Sequence, residues 1–232
     1  MLGPVDWVIW SLATLFEAGV VVCSIRRKAL RRYFFLNLYM LLNVFASVGQ
    51  LRVLRLYGRS SLEYRYFYFY SEAVLVIVLY FALISLYSRV FQELQAERYV
   101  RLGAVLLLAG TAWFSYAVVN QSSARMLTHF VFELSQNLYF VGLVLTYALW
   151  GVILKLRETR ALLVQLVLSL GVYFSAYAAS YAVSNLQPNL YSYVSHIFPI
   201  ISCLLPLAWA YAIWRVPEEA RLAPALLAVV PR

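Results

Sequence analysis

The chain is a succession of long apolar runs separated by short clusters of basic residues. A hydrocarbon core of about 30 Å is crossed by about 20 apolar residues of α-helix. Seven runs reach that length: roughly 5–25, 33–56, 67–90, 100–119, 129–153, 161–184 and 191–214. Gln50, Arg52 and Arg55 crowd the far end of the second run, and Pro199 and Pro206 fall inside the seventh. A membrane helix tolerates such prolines where neighbouring helices re-satisfy the freed backbone groups. The connections are short, and no repeat, low-complexity tract or linker interrupts them. The pattern predicts an all-α membrane protein of one domain, 1–232, forming a single bundle of seven transmembrane helices.

Composition explains why lipid is the expected surroundings. Of the 232 residues, 64% are hydrophobic and only 12% charged, against about 25% charged in soluble domains. A soluble chain this short has too little interior to hide so much apolar surface. The net charge of +9 would suggest a nucleic-acid partner if it were spread out, but it sits in the connections, as in loops facing an anionic cytoplasmic leaflet. No nucleic-acid partner is expected.

Orientation follows from where those charges fall. Arg26, Arg27, Lys28, Arg31 and Arg32 follow the first run; Arg89, Arg98 and Arg101 follow the third; Lys155, Arg157 and Arg160 follow the fifth; Arg215, Arg221 and Arg232 follow the seventh. The opposite side holds Arg52, Arg55, Arg59, Arg65 and Arg125. Fourteen against five predicts the N-terminus outside and the C-terminus in the cytoplasm. Trp7 and Trp10, Trp209 and Trp214, and the aromatic run from Tyr64 to Tyr70 are expected at the headgroup level. The first run has no basic segment before it and is expected to be a retained helix rather than a cleaved signal. Cys23 and Cys203 lie in apolar runs and read as small buried hydrophobes.

Polar residues inside the runs are the candidates for function, because an ionisable group deep in a membrane helix costs about 2.5–3.5 kcal/mol and faces the bundle interior. His129, Glu133, Gln136, Asn137 and Phe140 share one face of the fifth helix. Tyr68, Glu72, Val76 and Tyr80 form a stripe on the third, and Tyr173, Tyr177, Tyr181 and Ser184 on the sixth. The seventh carries Ser192, Ser195 and His196, and the second Asn43, Ser47 and Gln50. With alternating helix directions, Glu72, His129, Glu133 and His196 come to one outer depth with Gln50, Arg52, Arg55, Tyr177 and Tyr181. Together with Asn137 they make an outward-facing aromatic and polar cavity, the kind of place where ligands bind. The competing reading is structural: Arg52 or Arg55 pairs with Glu72 or Glu133 and locks helices together.

Glu17 stands apart, in the inner half of the first helix and level with Asn37 and Asn43. No Lys or Arg within an apolar run shares its depth. It reads equally as a protonated packing residue, hydrogen-bonded to one of those amides, and as a proton-handling one. Other chemistry is missing. Lys28 and Lys155 lie at cytoplasmic ends, so neither can hold a retinal. There is no HExxH, GxSxG, P-loop or GxGxxG. Two histidines on different helices make no specific haem or zinc pattern. No cofactor and no metal is expected.

Three motifs carry a resemblance. RRxFFxxxY spans Arg31, Arg32, Phe34, Phe35 and Tyr39; YFYFYxE runs from Tyr66 to Glu72; SRVFQEL runs from Ser88 to Leu94. Through them the chain resembles, along its whole length, a family of uncharacterised bacterial seven-helix integral membrane proteins. The resemblance implies the same helix count and a bacterial inner membrane, and brings no activity.

The function expected is a binding or sensory module, holding a small molecule or lipid in the outer cavity and signalling through a cytoplasmic or membrane protein partner. The alternatives are a proton- or cation-coupled transporter or channel using Glu17 and the outer acids, and a structural membrane subunit. The absence of repeat symmetry weighs against transport. Nothing marks a nucleophile, so an enzyme is the least expected.

Overall fold

The computed structural model describes residues 4–58, 60–92, 97–120, 126–156, 160–186, 191–217 and 220, with the side chains at 4–6, 97, 126–128, 184–185 and 191–199 outside that set. Among the described residues there are seven α-helices: α1 (Pro4–Arg26), α2 (Phe34–Tyr57), α3 (Leu62–Val90), α4 (Glu97–Asn120), α5 (Met126–Leu156), α6 (Ala161–Leu186) and α7 (Tyr191–Arg215). The all-helical expectation holds, and the ends agree with the apolar runs to within three residues except at α3. That helix begins five residues early, at Leu62. Ser61 explains it: its Oγ accepts the Tyr64 N–H at 3.1 Å, supplying the cap that an orphan first-turn donor requires.

Six helices are long and apolar enough to cross a membrane, over Trp7–Arg26, Phe34–Tyr57, Leu62–Val90, Arg98–Asn120, His129–Leu156 and Ala161–Val183; the apolar part of α7 with described side chains, Ile200–Arg215, is shorter. Their outer surfaces are apolar. Leu15 is 66% exposed, Trp113 73% and Val144 67%, exposures that water would penalise along every helix and that hydrocarbon accepts.

The chain forms two compact units, one of residues 1–29 and 142–232 and the other of 30–141, the boundary falling inside α5. In the first unit, α7 packs against both α1 and α6. Ala13, Glu17, Val20 and Ser24 are the buried positions of α1, at spacings of four, three and four, which keep them in one line down a helix. On α7 the buried line is Ile201, Leu205, Trp209 and Ala212. Trp209 is fully buried, because it falls on this line. Cys23 and Cys203 are unbridged and half-buried.

The two helices run parallel, and their C-terminal ends are tied. The Arg27 guanidinium donates to the carbonyls of Trp214 and of Val216. The chain leaves α1 through Lys28, at φ 55°, with the Ala29 N–H bonded to the Ser24 carbonyl at 2.9 Å and the Lys28 N–H to Ile25 at 3.0 Å. This is a Schellman ending with a lysine in the left-handed position that glycine prefers. Beyond α7, the Ala220 carbonyl accepts the Ala161 N–H at 3.0 Å, so the segment after the last helix caps the start of α6.

In the second unit α2 lies antiparallel on α3. Phe35 stacks on Phe81 with centroids 5.6 Å apart, the Arg89 guanidinium lies 4.3 Å over the Tyr33 ring, and α4 joins α3 through Tyr80, whose hydroxyl donates to the Ala104 carbonyl at 2.8 Å.

Two glycines sit where a neighbouring ring leaves no room for a Cβ: Gly142 against Phe174 and Gly49 against Phe67. Phe174 is fully enclosed, whereas Phe67 is half-buried and can turn aside. Gly142→Ala is therefore expected to destabilise by about 1–3 kcal/mol and Gly49→Ala by clearly less. Thermal unfolding of the two variants in detergent checks the order.

Candidate functional site

The outer polar residues predicted on the second unit form a belt of interhelical hydrogen bonds. Gln50 of α2 donates from Nε2 to Ser71 Oγ of α3 at 3.3 Å. On the next residue of α3, Glu72 Oε1 accepts from the Tyr139 hydroxyl of α5 at 2.7 Å. Two residues before Tyr139, Asn137 donates from Nδ2 to Ser115 Oγ of α4 at 3.0 Å. At a rise of 1.5 Å per residue, the α3 members lie about 1.5 Å apart in depth and the α5 members about 3 Å. One level therefore links α2 to α3, α3 to α5 and α5 to α4.

The donors and acceptors match. The Glu72 carboxyl oxygen accepts and the phenol donates, at an ordinary O–H···O distance. Ser71 and Ser115 each accept from an amide while donating to their own helix, at the carbonyls of Tyr68 and Thr111. Each hydroxyl is used in both directions, which is how a serine earns a place in an apolar helix.

Beyond this belt, towards the start of α5 and the end of α2, stand the charged residues. Glu133, one turn above Asn137 on α5, is half-buried; His129, a turn further, is exposed, as are Arg52 and Arg55 beyond Gln50 on α2. Among the described residues no ion pair joins Arg52 or Arg55 to Glu72 or Glu133. The interhelical tie at this level is the phenol–carboxyl bond in place of the arginine–carboxylate pair that the sequence offered.

Three candidates belong to the first unit. Tyr177 is buried and its hydroxyl meets Ser202 Oγ at 2.6 Å, joining α6 to α7. Tyr181 is half-buried one turn along. The His196 side chain lies outside the described residues, as do those of Ser184, Ser192, Ser195 and Pro199.

Glu17 is buried, 5% exposed, and its Oε2 has no hydrogen-bond partner. Of the two amides expected near it, Asn37 is engaged elsewhere: its Nδ2 donates to the Tyr33 carbonyl of its own helix at 2.8 Å.

Ser71, Ser115 and Tyr139 escaped the sequence reading. Ser71 and Tyr139 flank flagged residues, at one and two positions from Glu72 and Asn137, so proximity was an available signal. Ser115 is one hydroxyl in an apolar helix and carried none.

Among the described residues no three of His, Cys, Asp and Glu converge to hold a metal ion. What the fold and belt define is an all-helical protein with six helices suited to crossing a membrane and a layer of interhelical polar bonds. No protein-family model, no curated protein and no solved structure matches the chain.

A double-mutant cycle measures the central bond. Tyr139→Phe and Glu72→Leu are expected to show a coupling of about 0.5–1.5 kcal/mol in detergent unfolding, within the range for interhelical bonds in membranes. Additive losses would mean that the two side chains contribute separately.

Proposed function

We propose that the chain spans a bacterial inner membrane seven times, N-terminus outside and C-terminus in the cytoplasm, and that the outer end of its second unit receives a small polar molecule or a lipid headgroup. Binding there is reported to a protein partner through the basic inner connections. The orientation rests on the distribution of arginine and lysine, fourteen of nineteen on the proposed inner side. The seventh span rests on the 25 residues of α7, about 37 Å of helix at 1.5 Å per residue.

The observation that carries the binding reading is the layered arrangement at the outer end. The belt consumes Gln50, Glu72 and Asn137 in holding helices together, and leaves Glu133, His129, Arg52 and Arg55 above it with no mutual ion pair among the described residues. Both signs of charge sit there beside the exposed rings of Tyr66, Tyr68 and Tyr70. Such a surface complements a zwitterionic or anionic headgroup with an apolar body, since arginine binds phosphate and carboxylate bidentately and tyrosine suits the headgroup level.

Two experiments test this. For topology, Ser60→Cys is expected to react with a membrane-impermeant maleimide in intact cells and Lys28→Cys only after lysis; the reverse pattern would invert the orientation. For binding, the purified protein is screened by thermal shift against phospholipids and small zwitterions beside a Glu133→Gln, Arg55→Gln variant. A specific upward shift in the parent, lost in the variant, is expected. Equal shifts in both would remove the outer charges from the site.

A further inference from the structure

In the first unit α1 and α7 pack together and run parallel, so both stop at one level. The Arg27 guanidinium donates to the carbonyls of Trp214 and Val216, which places the two helix ends within the reach of one arginine side chain. Arg26 and Lys28 flank Arg27 in the chain, and Arg215 lies between Trp214 and Val216. Three further cations therefore gather around the tie. All three are exposed, and their side chains bond to no described residue. Among the described residues at this end of the unit there is no acid; Glu218 and Glu219 lie outside that set.

Basic side chains at helix C-termini ordinarily answer the last carbonyls. Here those carbonyls are already met. The N–H groups of Lys28 and Ala29 bond to the carbonyls of Ile25 and Ser24, and Arg27 covers Trp214 and Val216. The positive charges of Arg26, Lys28 and Arg215 are left over. Lys28 also holds φ 55°, a conformation that glycine adopts more easily, so the turn keeps an ammonium group at a conformational cost. Next to these cations the surface becomes apolar and aromatic. Leu207, Tyr211 and Trp214 are exposed on α7 at spacings of four and three, along one line, and Val22 and Ile25 are exposed on the last turns of α1. An exposed tryptophan in the last turn of a membrane helix suits the headgroup level.

We propose that the paired ends of α1 and α7 hold one anionic phospholipid, its phosphate among Arg26, Lys28 and Arg215 and its acyl chains along the exposed apolar lines of the two helices. Arginine meets phosphate with a planar pair of N–H donors and lysine with a compact charge, and each basic contact adds to the attraction of an anionic headgroup. A zwitterionic headgroup brings its own cation into this cluster and is disfavoured. The occupant is a lipid rather than a free anion because the cations border Trp214, Tyr211 and Ile25, a surface that hydrocarbon covers. Arg27 is a positioning residue: it holds the two ends together and keeps the carbonyls of Trp214 and Val216 from facing the phosphate. The inference rests on the chain spanning a bilayer, but not on which end faces the cytoplasm or on the ligand surface of the second unit.

The test titrates the full-length protein in detergent with dioleoylphosphatidylglycerol or dioleoylphosphatidylcholine and follows its melting temperature. A saturable rise with the glycerol lipid and none with the choline lipid is expected. Arg26→Gln, Arg215→Gln is expected to weaken the apparent affinity about thirtyfold, the loss of two basic contacts. Arg98→Gln, Arg101→Gln removes the same charge from the start of α4 and is expected to leave the affinity unchanged. Equal responses to the two lipids overturn the proposal, as does an equal loss in both double variants, which would mean attraction by bulk charge. The same rise with inorganic phosphate alone would overturn it in favour of a free-anion site. Loss of the response in the Glu133→Gln, Arg55→Gln variant would move the lipid to the second unit. A second measurement needs no charge variant: in vesicles, the fluorescence component removed by Trp214→Phe is expected to be quenched more by brominated phosphatidylglycerol than by brominated phosphatidylcholine, and equal quenching overturns the proposal.

Discussion

Hydrocarbon offers a polar side chain no water to fall back on, so each hydroxyl, amide or carboxyl between the ends of these helices needs a partner on its own helix or the next. Local bonds meet the requirement for the isolated hydroxyls: Thr14, Thr111, Ser135, Thr146 and Ser180 each donate to the carbonyl four residues before. A bond of that kind leaves an amide oxygen unserved, as at Asn37, and gives a carboxyl no donor, and it is amides and carboxyls that tie helices together. The belt through Gln50, Glu72 and Asn137 is the result. The same constraint makes Glu17 conspicuous, since among the described residues its Oε2 has no partner.

The two units resolve that constraint differently. In the second, amide, carboxyl, phenol and hydroxyl are matched donor to acceptor across four helices, and the apolar remainder packs around them. In the first, contact is largely a line of Ile, Leu, Trp, Val and Ala between α1 and α7, with Tyr177 and Ser202 bonding α6 to α7. Glu17 Oε2, Ser24 Oγ and Gln165 Oε1 remain enclosed without partners there, as does Asn37 Oδ1 in the second unit. A layer of satisfied polar bonds makes an arrangement of helices specific.

Much of this fold was legible in the sequence because the membrane converts hydrophobicity into length. A run of twenty apolar residues announces a helix and its approximate ends, and only the Ser61 cap moved a boundary appreciably. That Gln50 and Glu72 come to a common level was legible too, from alternating helix direction. Their partners were not. Choosing Tyr139 over an arginine for Glu72 depends on which face of α5 meets α3, and helices apolar all round give no periodic signal of facing. The burial of Trp209 was not legible for the same reason: it follows from packing alone. The glycines at 49 and 142 read as ordinary until Phe67 and Phe174 are seen to lie against them.

The bond between Ala220 and Ala161 bears on how this chain can be handled and how it is made. The start of α6 acquires its backbone partner only when the residues after α7 exist, fifty-nine positions later in the sequence. During synthesis α6 must therefore wait, its first turn open, until the ribosome has finished the last helix. An affinity tag joined directly after Arg215 would leave that turn open permanently, whereas one placed beyond Ala220 would preserve the closure.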